Sequence, residues 1–282
     1  MSQPRHKPTD ADIDQYGLTH IGKVRRENQD HFLISTLVKQ VRVDQTSLPD
    51  IAGLSSAVDR VASFAMVADG VGSGAGEEAS RFAVQAIASY VARSAQVFYS
   101  ADATEPESFA RLLEDAALQC HADLLEHAAA KGKSGKLATT LTLWLGLWPQ
   151  AYVLQVGDSR LYVYRDQQLT QISRDQTMAE DMILKGILTR DRAAQSRWAD
   201  ILSSAIGGPE AAPVVTRVVR DWGTIVLLCS DGLTKHVSKD RIAERLGALK
   251  SSKETCEALL QDALDDGGTD NITIVIGRTL PR

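Results

Sequence analysis

Apolar positions recur along this chain in two ways, as short runs with β character and as longer stretches with helical spacing. Residues 32–35 form a short apolar run, and residues 61–68 (VASFAMVA) form a longer one that predicts a buried strand. Residues 138–147 (ATTLTLWLGL) and 152–156 are rich in β-branched and aromatic side chains, which favours strands. Residues 161–164 and 169–172 flank Asp166-Gln167-Gln168 and read as a hairpin. Further strand patterns cover 214–219, 224–228 and 272–276. Helical spacing runs over 77–96 through Phe82, Ile87 and Val91, with an acidic first turn that suits the positive end of a helix dipole. A second helix is predicted over 107–130, where Phe109, Leu112, Leu113, Ala116 and Leu124 share a face. Residues 239–248 and 254–264 give a later pair.

Strands succeed one another through hairpins while helices come in pairs. That order predicts an α+β sandwich with helices outside two mostly antiparallel sheets, rather than a doubly wound parallel fold. Residues 1–14 are polar, contain Pro4 and Pro8, and lack the apolar core of a signal peptide, so they read as a flexible leader. With no repeat or low-complexity linker to divide it, 15–282 reads as a single domain. Residues 176–204 are polar and weakly helical, and they interrupt the strand succession, which reads either as a flap inserted over a sheet edge or as a plain surface excursion. The stretch 36–60 carries no pattern that assigns it a role.

Composition narrows the partners. The 282 residues are 44% hydrophobic and 24% charged, the balance of a folded soluble protein, with a net charge of −5. No run of Lys or Arg is long enough to follow a phosphate backbone, which argues against nucleic acid and anionic membrane. No apolar stretch approaches the roughly 20 residues of a membrane span. Cys120, Cys229 and Cys256 are odd in number and far apart, fitting neither a disulfide framework nor a zinc site. The expected location is the cytoplasm.

Five aspartates change the picture, because each sits at the end of a strand pattern beside residues that let the backbone turn. Asp69 closes 61–68 and precedes Gly70, and Asp231 follows 224–228 and precedes Gly232. Asp158 lies in Gly157-Asp158-Ser159-Arg160, and Asp270 in Gly267-Gly268-Thr269-Asp270-Asn271. Asp30 ends Arg25-Arg26-Glu27-Asn28-Gln29-Asp30. A single Asp-Gly is ordinarily just a turn. Five carboxylates brought to one sheet rim would repel one another unless cations neutralised them. Oxygen ligands select Mg²⁺ or Mn²⁺, and no His or Cys cluster competes for a softer metal. Two such ions ~3.5–4 Å apart activate water and clamp an in-line displacement at phosphorus, which predicts hydrolysis of a phosphate ester. Arg25 offers a guanidinium able to hold two phosphate oxygens at once, although on its own it and Arg26 read equally well as solvated surface charges. The six histidines are scattered and read as surface or structural residues, and Asn28 as a local structural one.

The segments VRRENQD (24–30), VADGVGSGAGEEAS (67–80), ATTL (138–141), VGDSRLYVYR (156–165), LCSDGL (228–233) and GGTDNITIVI (267–276) resemble the metal-dependent protein phosphatases of type 2C, in the family's order from Tyr16 to Arg278. The resemblance implies an α-β-β-α sandwich with a metal cluster at one end of the sheets. It implies phosphoserine or phosphothreonine in proteins as substrate, and a Ser/Thr kinase as a natural counterpart. Carried over by position, Asp69 would bridge two ions with the Gly70 carbonyl on one of them, and Asp231 and Asp270 would complete the first ion's shell. Asp30 would act on the second ion through water, and Asp158 on a third, weaker ion of bacterial-type members. Arg25 would bind the substrate phosphate, and the flap would border the cleft and bear on substrate choice. Two positions depart from the pattern. Gln29 stands where many members have Glu, which implies weaker hold on the second ion, and Val71 stands where many eukaryotic members have His. Val71 and the short flap resemble the bacterial branch. Residues 70–75 (GVGSGA) also fit a dinucleotide-binding fingerprint, but no βαβ unit surrounds them and Asp69 would repel a pyrophosphate. A catalytically silent phosphoprotein-binding module is the remaining alternative, weakened by the presence of all five aspartates.

Overall fold

The computed structural model describes residues 7–38, 41–48, 62–72, 74–98 and 106–280. A 3-10 turn at Asp10–Asp12 leads into β1 (Ile13–His20), β2 (Asp30–Leu37), β3 (Val41–Thr46) and β4 (Ala62–Val71). Two long helices follow, α1 (Gly76–Phe98) and α2 (Pro106–Ala130). Then come β5 (Ala138–Thr139), β6 (Leu141–Leu147), β7 (Gln150–Val156), β8 (Arg160–Arg165) and β9 (Gln168–Gln171). The short helices α3 (Met178–Leu184) and α4 (Arg190–Ala194) precede β10 (Val214–Val219) and β11 (Ile225–Cys229). The chain closes with α5 (Asp231–Thr234), α6 (Lys239–Gly247), α7 (Ser252–Asp265) and β12 (Ile272–Thr279).

These strands form two sheets, ordered β1-β12-β11-β8-β9 and β10-β7-β6-β4-β2-β3, with β5 attached to β4. All strand pairings among the described residues are antiparallel. The two-residue period of the central strands explains the layering. Along β4, Phe64, Met66 and Ala68 face α1 and α2, while Val67 points to the other sheet. Along β11, Ile225, Leu227 and Cys229 face α6 and α7, while Val226 and Leu228 turn inward to meet it. Three apolar cores result, one between the sheets and one under each helix layer, which is an α-β-β-α sandwich. The Asp166-Gln167 turn has both residues at positive φ (52° and 61°), the backbone of a type I′ hairpin that matches the twist of β8 and β9.

Several boundaries differ from the sequence pattern. Ile13 and Asp14, which composition places in the leader, open β1 instead, and Asp14 accepts from the Ser252 backbone N–H (2.9 Å) at the start of α7. β1 escapes pattern reading because its sequence, IDQYGLTH, alternates poorly and only Gly17 is fully buried. β3 lies inside the stretch to which no role was assigned, whereas 49–61, including Val61, falls outside the described residues. The run 138–147 divides at Thr140 into β5 and β6. Residues 70–76 do open a helix, but β2 and β4 are antiparallel neighbours, so no parallel βαβ unit supports a dinucleotide site. All three cysteines are buried and free. Among the described residues, no helix is long and apolar enough to cross a membrane.

Candidate metal centre

Sheet register brings the first two carboxylates together. Asp30 opens β2 and stands directly opposite Asp69 in β4. Asp30 is buried, and its Oδ2 accepts hydrogen bonds from Ser230 Oγ and Thr273 Oγ1, both at 2.7 Å, which reach across from the other sheet. Its Oδ1 has no hydrogen-bond partner. The backbone of Asp69 is pinned from both sides: its N–H donates to Thr140 Oγ1 (3.0 Å) and its carbonyl accepts from Thr140 N (2.9 Å) and Thr139 Oγ1 (2.9 Å). Gly70 follows because no side chain fits there, since a Cβ would lie 2.2 Å from the Gly76 carbonyl oxygen. Gln29 lines the same turn. With its amide oriented to suit its neighbours, its Nε2 donates to the carbonyls of Gly72 (3.1 Å) and Gly70 (3.2 Å).

The other sheet supplies the next two. Asp231 begins α5 directly after β11, at the end of a helix that favours negative charge. A Cβ on the following Gly232 would lie 1.9 Å from the Asn271 carbonyl, so this glycine lets α5 close on the loop that carries Asp270. Asp270 is gripped by two cations. Arg25 Nε and Nη2 donate to its two oxygens at 2.7 and 2.8 Å, and Lys235 Nζ donates to Oδ2 at 2.9 Å. The same ammonium lies 2.5 Å from Asp231 Oδ2, leaving Asp231 Oδ1 without a partner. Arg25 is bidentate, as its planar fork allows, but it holds an aspartate in this structure.

Asp158 lies in the β7–β8 turn, and its loop is clamped from the flap. Gln176 accepts from the Gly157 N–H through its side-chain oxygen (2.8 Å) and donates its own N–H to the Gly157 carbonyl (3.0 Å). Arg160, with three contacts of 2.6–3.0 Å to Asp175, ties the root of the flap to β8. Asp158, Asp231 and Lys235 line a cleft of about 710 Å³ whose other wall is built from flap residues including Glu180, Ile183, Arg190 and Asp200.

The electrostatics agree with a crowded acidic centre. Burial, then the charges of Asp30, Asp231, Asp158 and Asp270, hold the Asp69 carboxyl well above the usual carboxylate range. Burial also pushes Asp30 up to about 6, and burial together with Asp231 and Asp175 pushes Asp158 up to about 7. Asp270 behaves in the opposite way: burial raises it, but Arg25 and Lys235 outweigh burial and bring it below its ordinary value.

All five sequence-predicted aspartates, Gly70 and Arg25 therefore meet at one end of the sandwich. Among the described residues, no three Asp, Glu, His or Cys side chains are arranged as the shell of a single ion. Lys235 pairs with Asp231 and Asp270, and Arg25 with Asp270. The donor set still fits a hard divalent cation, because all the groups are oxygens and two carboxylate oxygens, on Asp30 and Asp231, are unpartnered. Sequence reasoning missed Lys235, although its place four residues beyond Asp231 at the head of a helix was a usable signal. It also missed Ser230, Thr273 and Gln176, and His236, whose Nε2 accepts from Thr269 N (2.9 Å) beside Asp270.

Two antiparallel sheets between helix layers, with an all-oxygen acidic centre at one rim, define the class of scaffold. The chain belongs to the protein phosphatase 2C family, whose model matches residues 42–266. The serine/threonine protein phosphatase PstP of Mycobacterium tuberculosis is 35% identical over 140 residues, 50% of this chain and 27% of that protein, so the match spans about a quarter of that relative's length. The serine/threonine phosphatase stp of Listeria monocytogenes is 27% identical over 213 residues, covering 75% of this chain and 82% of that protein. Among solved structures, the M. tuberculosis phosphatase PstP/Ppp superposes with a TM-score of 0.73 at 26% identity, covering 96% of this chain and 99% of that one. The catalytic domain of PstP in complex with two manganese ions superposes with a TM-score of 0.67 at 26% identity, covering 95% and 98%.

Proposed function

We propose that this chain is a protein serine/threonine phosphatase that hydrolyses phosphoserine and phosphothreonine at a binuclear Mn²⁺ or Mg²⁺ centre. The observation that carries the reading is the cross-strand pair Asp30–Asp69, with an unpartnered oxygen on Asp30 and another on Asp231. Carboxylates set against one another in this way need cations. Asp69 would be shared between two ions, with the Gly70 carbonyl on one of them, and Asp231 and Asp270 would complete that ion's shell. Asp30 would serve the second ion through water, and Asp158 a third, weaker one. The bound ions would supply Lewis acidity and lower the pKa of the attacking water.

The chain's own residues do the rest. Arg25, whose fork grips the two oxygens of Asp270, would hold two phosphate oxygens once released from it, and the cleft walled by the flap would admit a phosphorylated segment of a protein. Val71, partly exposed beside the centre, has no proton to offer the leaving alkoxide, which takes one from water. The substrates are phosphoproteins, with a Ser/Thr kinase as counterpart, and the setting is the cytoplasm, in keeping with three free thiols. The test is hydrolysis of a phosphoserine peptide. Turnover requires added Mn²⁺ or Mg²⁺, stops with chelator, and falls roughly a hundred- to a thousandfold in Asp69→Asn, the order of effect seen when one transition-state contact is removed. Metal-independent turnover would refute the mechanism, and a stable phosphopeptide complex without turnover would identify a binding module instead.

A further inference from the structure

We infer that Lys235 is a built-in competitor for the divalent cation, occupying Asp231 and Asp270 and thereby setting how tightly the centre holds metal. The inference rests on the metal-centre reading above and assigns a role to a residue outside the carboxylate set. Lys235 follows the last turn of α5, so its side chain reaches back along the helix to Asp231, four residues earlier. Its ammonium is 2.5 Å from Asp231 Oδ2 and 2.9 Å from Asp270 Oδ2, which makes it the bridge between the two carboxylates proposed for the first ion. Arg25 does not play this part, because among the described residues its side chain hydrogen-bonds to Asp270 and not to Asp231.

The chemistry is a contest between two kinds of cation. An ammonium satisfies two carboxylate oxygens through hydrogen bonds and contributes a single charge. A divalent ion contributes two charges and can also collect the unpartnered Asp231 Oδ1. An ion entering the site must move the ammonium aside, and the apparent affinity is then reduced by the fraction of molecules in which lysine holds the site. Lys235 lines the cleft that also holds Asp158, so a displaced ammonium has open space to move into. Lys235 thus sets a metal threshold: it partly neutralises the carboxylates at low metal concentration and gives way at high concentration.

The test is calorimetric titration of Mn²⁺ into the metal-free full chain, without substrate, for wild type, Lys235→Met and Lys235→Arg. Methionine keeps the length and apolar stem but removes the charge. The expected result is a Kd for Mn²⁺ roughly tenfold lower in Lys235→Met, the factor for about 1.4 kcal/mol of lost competition. Lys235→Arg retains the cation and stays near wild type. Thermal unfolding in chelator reports the other half of the exchange: Lys235→Met melts lower than wild type there and gains more on adding Mn²⁺. An equal or weaker Mn²⁺ affinity in Lys235→Met overturns the inference while leaving the metal centre standing. Absence of Mn²⁺ binding in all three proteins overturns both.

Discussion

Replacing Asp69 by asparagine removes one charge from the cross-strand pair without changing the side chain's shape. The pinned backbone around it, held by Thr139 and Thr140, has no reason to move. In metal-free protein this change is therefore expected to stabilise the fold. The scale comes from Asp30, whose carboxyl is raised from 3.8 to about 6. Holding such a group ionised at neutral pH costs about 3 kcal/mol relative to the unfolded chain, at 1.36 kcal/mol per unit. Burial and four neighbouring carboxylates raise Asp69 in the same direction, so removing its charge recovers a penalty of the same sign, and the Asp30 figure sets the scale. The sign follows from a folded pKa above the unfolded one: the penalty is fully present above the folded value and vanishes below about pH 4. Thermal unfolding in chelator at pH 7.5 should show Asp69→Asn melting about 6 °C above wild type, at roughly 2 °C per kcal/mol for a chain of this size. The difference should shrink as the pH is lowered toward 4. Added Mn²⁺ should reverse the order, raising wild type and leaving the variant unchanged. A variant no more stable than wild type in chelator at pH 7.5 would refute the claim that these carboxylates are in conflict.

Other parts of the structure make separate predictions. Arg245 and Arg241 hold Asp262 down to about 2, and because solvent screens this surface cluster, Asp262→Asn should lose about 1 kcal/mol in urea denaturation at pH 7; that contribution is present above pH 4 and disappears as pH falls toward 2. Leu143 is fully buried under α1 and α2, and Leu143→Ala should cost about 3 kcal/mol, read from the urea midpoint at unchanged slope. Gly70→Ala drives a Cβ into the Gly76 backbone, and about 3 kcal/mol of overpacking strain should appear in the same assay even with chelator present.

The strands that pattern reading located best are the ones with two clean faces. β4 and β11 lie in sheet interiors, where alternate side chains enter different cores and each position is apolar for its own reason. β1 was missed because it is an edge strand joined to β12 and mixes Asp14, Gln15 and Thr19 among its apolar residues. The carboxylates were legible because each sits where a strand ends in a forced turn, and turn chemistry is local. What surrounds them was not. Ser230 and Thr273 reach Asp30 from 200 and 243 residues away along the chain, so their role depends on how the two sheets stack. Lys235 needed no such distance, only attention to the residue one helical turn past an aspartate.

The pairing of β1 with β12, eight positions from Ile13↔Thr279 to His20↔Ile272, has a consequence for synthesis. β12 is the last of the described strands to be made, yet it lies between β1 and β11 in its sheet. A nascent chain that has emerged through α7 already carries Asp30, Asp69, Asp158 and Asp231, but it has neither Asp270 nor the strand that joins the first part of the molecule to the later one. Thr273, one of the two hydroxyls that orient Asp30, arrives in that final segment as well. The centre therefore closes only after β12 has been made, and a product stalled or clipped before that strand holds most of the acidic groups without the frame that assembles them.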